Sequence, residues 1–583
     1  MLDYYGPMTR FKPRAIPSIL LLLAMGLPSA WAQFKTPQNS DLDGNLMYEL
    51  LVSEMSAQTG DNGTAFQWML DAAQKTRSEQ LFERAVDIAL RGRAGDSALQ
   101  AAQAWSKAQP KSRNALRYVL QILIGLNRLP ETVEPIKRDI ALQQGMERAS
   151  AITQLPRFFV RVNDKKLATK VVEQALAGEL LNTTTGPAAY ATIGTMRLLA
   201  GDGEGAIEAA RKGAALNPKA EEPVQLALVL MDPKLPAAEA LIVRHLQTEP
   251  RPEIRMGYVR KLLDAQRLQE AKAQVVIINE STPDFADAWL VRGSLALQEK
   301  NESEGLFALT TFIKLRAPEK DAAADGAQDR GLTQAYFLLA DLAEQKQQWA
   351  EAERYLNLID NPQEALRVQS RRASILARQG KIDEARALIR SAPELQPEDA
   401  RTKSSIELQL LRDYKQFQAA YDMLKQAVQN NPGDADYLYD LAMAAEKLDR
   451  VNEMETLLRQ LIALRPDYYQ AYNALGYSLA DRKLRLDEAR TLIRKALDAS
   501  PSDPFIQDSM GWVEYRSGNL EQALKILQEA YRSRPDPEIA AHLGEVLWSM
   551  SQKQAAQNIW KEGLAQSPDN DTLRETIQRL NPP

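Results

Sequence analysis

Downstream of residue 41 the apolar positions fall three and four apart, the spacing that lays one stripe along an α-helix. In the C-terminal half this spacing is itself periodic. Prolines stand at Pro397, Pro432, Pro466, Pro501, Pro535 and Pro568, separated by 35, 34, 35, 34 and 33 residues. Between them one pattern recurs: a small residue in a first helix, a second small residue about a dozen positions on, then proline about a dozen later again. Gly476, Gly511 and Gly544 follow Leu475, Met510 and Leu543, and Ala489, Ala523 and Ala556 are the second small residues. The pattern predicts helix–turn–helix units. The paired small residues let two helices cross closely. Proline closes the unit because it cannot continue a helix without losing a hydrogen bond and clashing.

A helix–turn–helix of this length resembles the tetratricopeptide repeat (TPR). Position 1 placed at Arg401, Ala435, Tyr469, Pro504 and Pro537 phases the last five units, and the phase extends back to Leu366, Thr333, Ala286, Pro252 and Pro187. Gly293 and Gly194 then take the first small position, and Ala385, Ala352, Ala271 and Ala206 the second. Residues 41–77, 112–182 and 219–250 keep the helical period but match poorly. The expected organisation is degenerate repeats over 33–250, TPR units over 251–318, a loop insertion over 319–332, regular units over 333–570, and a capping helix with tail over 571–583. The insertion could hinge two halves, or be a long turn. Asn182 to Pro187 reads as a surface loop. The fold class expected is an all-α TPR superhelical solenoid with a concave groove.

Composition narrows the chemistry. The 583 residues contain no cysteine and two histidines, His245 and His542. Thiolate chemistry, disulfides and Cys-ligated metals are excluded, and multi-His metal sites lack ligands. His542 and Glu545, three apart on one helix, have no third ligand in view. The expectation is therefore no catalytic residue, no metal and no cofactor. The formal charge is −5, against a nucleic-acid partner. The segment Gly201-Asp202-Gly203-Glu204-Gly205 falls in a turn between helices with no GK[ST] after it, so a phosphate loop is not supported. At the N-terminus, Arg10, Lys12 and Arg14 precede an apolar stretch over 16–27, then Ala30-Trp31-Ala32. That is the pattern of a secretory signal peptide over residues 1–32, cleaved near Ala32, and it leads to an expected periplasmic location. The stretch is shorter than the roughly 20 residues of a comfortable membrane span. Without a cysteine, a lipid anchor at the mature N-terminus has no attachment point.

In a TPR unit the first helix lines the inside, through positions near 2, 5, 6, 9, 12 and 13. By that register Tyr439, Tyr477, Trp512, Tyr515 and Trp548 face inward in four consecutive units, with Asn473 and Asp508 at position 5. Trp512, at position 9, is expected to point away from the repeat core. Arg367, Arg371, Arg378 and Arg412 face inward in the two preceding units. Two readings are open for each set. The rings form either a protein-binding wall or packing between repeats. The arginines either receive carboxylates or belong to a locally paired, solvated face. Trp289, Tyr336, Tyr472, Tyr190 and Trp560 fall at core positions. No unit clearly reproduces the Lys and Asn of the TPR clamp for a C-terminal carboxylate.

Several segments go beyond the generic repeat: residues 46–54 with Glu83-Arg84-Ala85 and residues 101–105, and residues 473–481, 508–513 and 541–548. Together they resemble a proteobacterial family of envelope TPR proteins, best known through the lipoprotein partner of a periplasmic carboxy-terminal processing protease. The resemblance implies a non-enzymatic adaptor that binds the protease and its clients, among them murein hydrolases, with no small-molecule substrate. The missing cysteine departs from the lipoprotein kind. Two other functions compete: a scaffold for exopolysaccharide or other envelope assembly, and a hydrolase within the degenerate N-terminal repeats.

Overall fold

The computed structural model describes residues 43–316 and 330–580. Among these residues there are 32 α-helices and no strand. No helix among them is long and apolar enough to cross a membrane. The expected leader and most of the expected insertion lie outside the described residues. The insertion does not reach residue 332: the helix Arg330–Gln345 has already begun, because Leu332 is 3% exposed and belongs to its buried stripe. Backbone contacts divide the chain between Thr282 and Pro283.

The second unit is a stack of helical pairs closed by a single helix. Its first helices include Ala365–Arg378, Asp399–Asp413, Ala435–Lys447, Tyr469–Asp481, Pro504–Arg516 and Pro537–Ser549. These starts lie within two residues of the expected position 1. Local chemistry explains the starts. Asp434, Asp503 and Asp536 accept hydrogen bonds from the first free amides of their helices. Pro504 and Pro537 occupy the first helical turn, where a missing N–H costs nothing. The small residues mark the crossings. A Cβ on Gly476 would lie 2.6 Å from Ile493 Cγ1 and 2.9 Å from the Ala489 carbonyl, and one on Gly511 would lie 2.6 Å from Leu527 Cγ. Gly476 therefore faces the backbone of the second small residue, and Gly511 faces a side chain of the second helix. The helix Asp571–Leu580 closes the stack through its own buried Leu573.

A second periodic feature lies in the turns inside each pair. The second residue beyond each first helix takes positive φ: Lys300, Gln347, Gly380, Lys415, Asp449, Lys483, Gly518 and Ser551. Only two of these eight are glycine, so the turn geometry is imposed by the packed helices on residues that do not favour it.

The first unit follows the same plan less regularly. Trp105 is fully buried and stacks on Phe82 at 6.4 Å. Short helices at Val133–Ala141, Gly145–Gln154 and Pro156–Phe159 replace a regular pair. Thr192 Oγ1 donates to the Ile152 carbonyl at 3.0 Å, which ties this irregular stretch to the next helix. The expected loop from Asn182 ends two residues early, since the helix Gly186–Leu199 starts at Gly186. The pair Glu222–Leu230 and Pro236–His245 is short, with nine and ten residues against 14 in each of the two helices before it.

Candidate protein-binding surface

The inward positions of the second unit carry every candidate residue, and their surroundings change along the stack. Upstream lie the arginines. Arg367 spreads its guanidinium over the Phe337 ring at 3.9 Å, and its side chain is 60% exposed. Its ion pair with Glu364 is long, at 3.6 Å. Together with Phe337, Leu338 and Asp341 it borders a recess of about 580 Å³. Arg371 donates to Asp341 Oδ2 at 2.7 Å, while Asp341 Oδ1 is buried without a partner. Burial pushes the Asp341 carboxyl above its ordinary range, and Arg371 pulls it back. Arg378 pairs at 2.9 Å with Glu344, a carboxylate only 4% exposed that also accepts from Ser374. Arg412 donates to Asp440 at 2.7 Å. Each of Arg371, Arg378 and Arg412 is thus held by a carboxylate one repeat away. Arg367 is the most open of the four.

Downstream, the same positions close into a cluster. Asp508 receives His542 Nδ1 at 2.8 Å, and His542 Nε2 lies 3.3 Å from the Tyr477 hydroxyl. The Trp512 ring stacks on His542 at 4.2 Å and its indole N–H donates to Asp481 at 3.2 Å. Trp512 is 3% exposed. It does not point away from the core, as position 9 predicts. The histidine arriving from the next repeat covers it, so its ring is packing. Tyr515 bonds Ser549 at 2.8 Å and Glu545 at 3.3 Å, and Arg579 of the closing helix pairs with the same Glu545. Burial raises the phenol pKa of Tyr477, Tyr515 and Tyr439. Burial disfavours a charge on His542, but Asp508, with Glu545 and Asp481 behind it, holds its pKa above the ordinary value.

Three candidates stand apart. Tyr439 packs on Tyr468 at 5.6 Å. Asn473 has a buried amide oxygen with no partner. Trp548 is half-buried, against Trp560 at 5.5 Å with Lys553 over its ring. Trp560, Trp289, Tyr336 and Tyr472 are buried as their register predicts, while Tyr190 is half-buried. The pattern reading missed Phe337, Asp341, Glu344, Asp481 and Arg579. A signal for the central pair existed: Asp508 and His542 fall at positions 5 and 6 of consecutive units. No group of three or more His, Asp or Glu among the described residues is placed to hold a metal ion.

Tetratricopeptide repeat models match residues 333–400, 435–468, 455–504 and 509–571. A TPR repeat-containing protein of Pseudomonas aeruginosa is 37% identical over 246 residues, 42% of this chain and 42% of its own length. The chloroplastic PsbB mRNA maturation factor Mbb1 of Chlamydomonas reinhardtii is 37% identical over 95 residues, 15% of this chain and 14% of its own. The chain thus spans less than half of either relative. Among solved structures, a thermophilic TPR protein of Thermus thermophilus is 26% identical, with TM-score 0.28, covering 30% of this chain and 94% of its own. A Cut9–Hcn1 hetero-tetramer chain is 13% identical, with TM-score 0.31, over 87% of this chain and 98% of its own. Repeats of this kind are typically non-catalytic and serve as scaffolds for protein–protein interaction. Tetratricopeptide repeat models thus cover residues 333–400, 435–504 and 509–571, and over this stretch the chain is built of the helical pairs that such repeats form.

Proposed function

We propose that the protein is a non-enzymatic periplasmic adaptor that brings a carboxy-terminal processing protease to protein clients, murein hydrolases among them. The observation that carries a binding role is the open stretch around Arg367. An exposed guanidinium on an aromatic ring borders a recess that the neighbouring repeats leave unfilled. Such a site takes a carboxylate and an apolar side chain together. The choice of partner rests on the envelope-family resemblance, and the location rests on the leader-like residues 10–32. Tethering raises the effective concentration of protease and client with no catalytic group on the scaffold.

The test is co-purification of the tagged full chain from a periplasmic extract of the producing cells. A protease and murein hydrolases should be retained, and Arg367→Glu should reduce their recovery. Recovery of polysaccharide synthase and export components instead would overturn the adaptor reading. Recovery that is indifferent to Arg367→Glu would remove the surface from it.

A further inference from the structure

The short pair in the first unit leaves a cavity. A regular second helix such as Gly203–Leu216 has 14 residues, but the next one, Pro236–His245, stops after ten. The chain then turns through Leu246–Thr248 to Glu249, which takes positive φ. The lost turn uncovers the end of the preceding second helix. The result is a cavity of about 890 Å³ between the second helices of two consecutive pairs. Both helices that line it are the second helices of their pairs.

Its lining is chemically one-sided. Ala214, Ala215, Ala240 and Leu241 supply small apolar surface. Arg211, Lys212 and Arg244 supply three cations against one carboxylate, Glu208. Glu208 engages Arg211 at 3.6 Å and Lys212 at 3.8 Å. Arg244 is exposed, and its guanidinium makes no ion pair or hydrogen bond among the described residues. His245 lines the same cavity and is 4% exposed. Its Nδ1 lies 2.9 Å from the Pro218 carbonyl. A carbonyl can only accept, so Nδ1 carries a proton, and in that tautomer Nε2 offers a lone pair. That Nε2 is buried with no partner. An unpartnered buried acceptor is costly unless something completes it.

We propose that this cavity binds an acidic segment of a protein partner. Arg244 takes a carboxylate, Nε2 of His245 takes a backbone N–H, and the alanines receive an adjacent apolar side chain. A peptide satisfies all three at once: it brings negative charge to the excess of cations, a donor to the lone acceptor, and apolar surface to the floor. The site is separate from the arginine-lined surface of the second unit and does not depend on the adaptor reading.

The experiment uses random heptapeptides displayed on phage, selected on the full chain. A synthetic copy of the strongest binder is then measured by fluorescence anisotropy. The expected winners pair Asp or Glu with a neighbouring apolar residue. Arg244→Glu should weaken their binding about tenfold or more, near 1.4 kcal/mol, and Arg211→Glu should weaken it less. Both side chains are exposed, so these chains should fold, as circular dichroism will register. Arg157→Glu, an exposed charge in the same unit outside the cavity, should leave the affinity unchanged. Winners without an acidic residue, no enrichment, or equal affinity for the Arg244→Glu chain would each overturn the proposal.

Discussion

The two ends of the inward row in the second unit use the same repeat positions to opposite effect. Around Arg367 the long side chains lie along the wall, reach carboxylates one repeat away and leave a recess between them. Around Trp512 the row is filled. His542 at position 6 enters between Trp512 and Tyr477, and Asp508 holds it there. The difference teaches that an inward position is not by itself an exposed one. A ring becomes wall or core according to what the next repeat sets against it, and a compact aromatic–His–carboxylate set closes where flexible arginines do not.

The strongest way to break this contrast is Trp512→Ala. A side chain this buried should cost about 3–5 kcal/mol, read as an earlier urea transition by circular dichroism. A variant that melts like the parent but binds partners poorly would return Trp512 to the binding wall. Next in size is Gly511→Leu, whose added atoms would meet Leu527 at the helix crossing. It should cost about 1–3 kcal/mol, and a silent result would mean the repeat phase is wrong there.

A pH titration sharpens the comparison further. Because Asp508 raises the folded-state pKa of His542, the stabilisation is complete below the unfolded value of about 6.5. It is lost as pH rises through the higher folded value. Melting temperature should therefore fall from mildly acidic to alkaline pH, and the slope should flatten in His542→Gln. The smallest stability effect belongs upstream. Arg367→Ala removes an exposed pair and one ring contact, together worth under about 1 kcal/mol. Partner recovery should nevertheless drop, and a large loss of stability would show that the upstream wall is also core.

Legibility in the sequence followed burial. Gly476, Gly511 and Ala489 were readable because a close helix crossing admits only small side chains, and they recur with the repeat. Trp560 and Tyr472 were readable as core because the helical register puts them on the buried stripe. The state of Trp512 was not readable from its own position. It depends on His542, thirty residues later, and on Asp481 from the preceding unit. The positive-φ turns left no clear mark either, because Lys415, Asp449 and Lys483 occupy places where glycine would have announced them.

Alone, then, the sequence determined an all-helical stack with a 33–35-residue period, the phase of its C-terminal units, and a chain without cysteine chemistry. These follow from local rules: helical spacing, small residues at crossings and proline at exits. Tertiary structure decided which inward groups are covered, which carboxylate holds which arginine, and where the shortened pair at Pro236–His245 leaves a cavity. Those outcomes depend on side chains that approach from neighbouring repeats. Spacing along one helix says which way a residue faces, and only the packed neighbour settles what it meets.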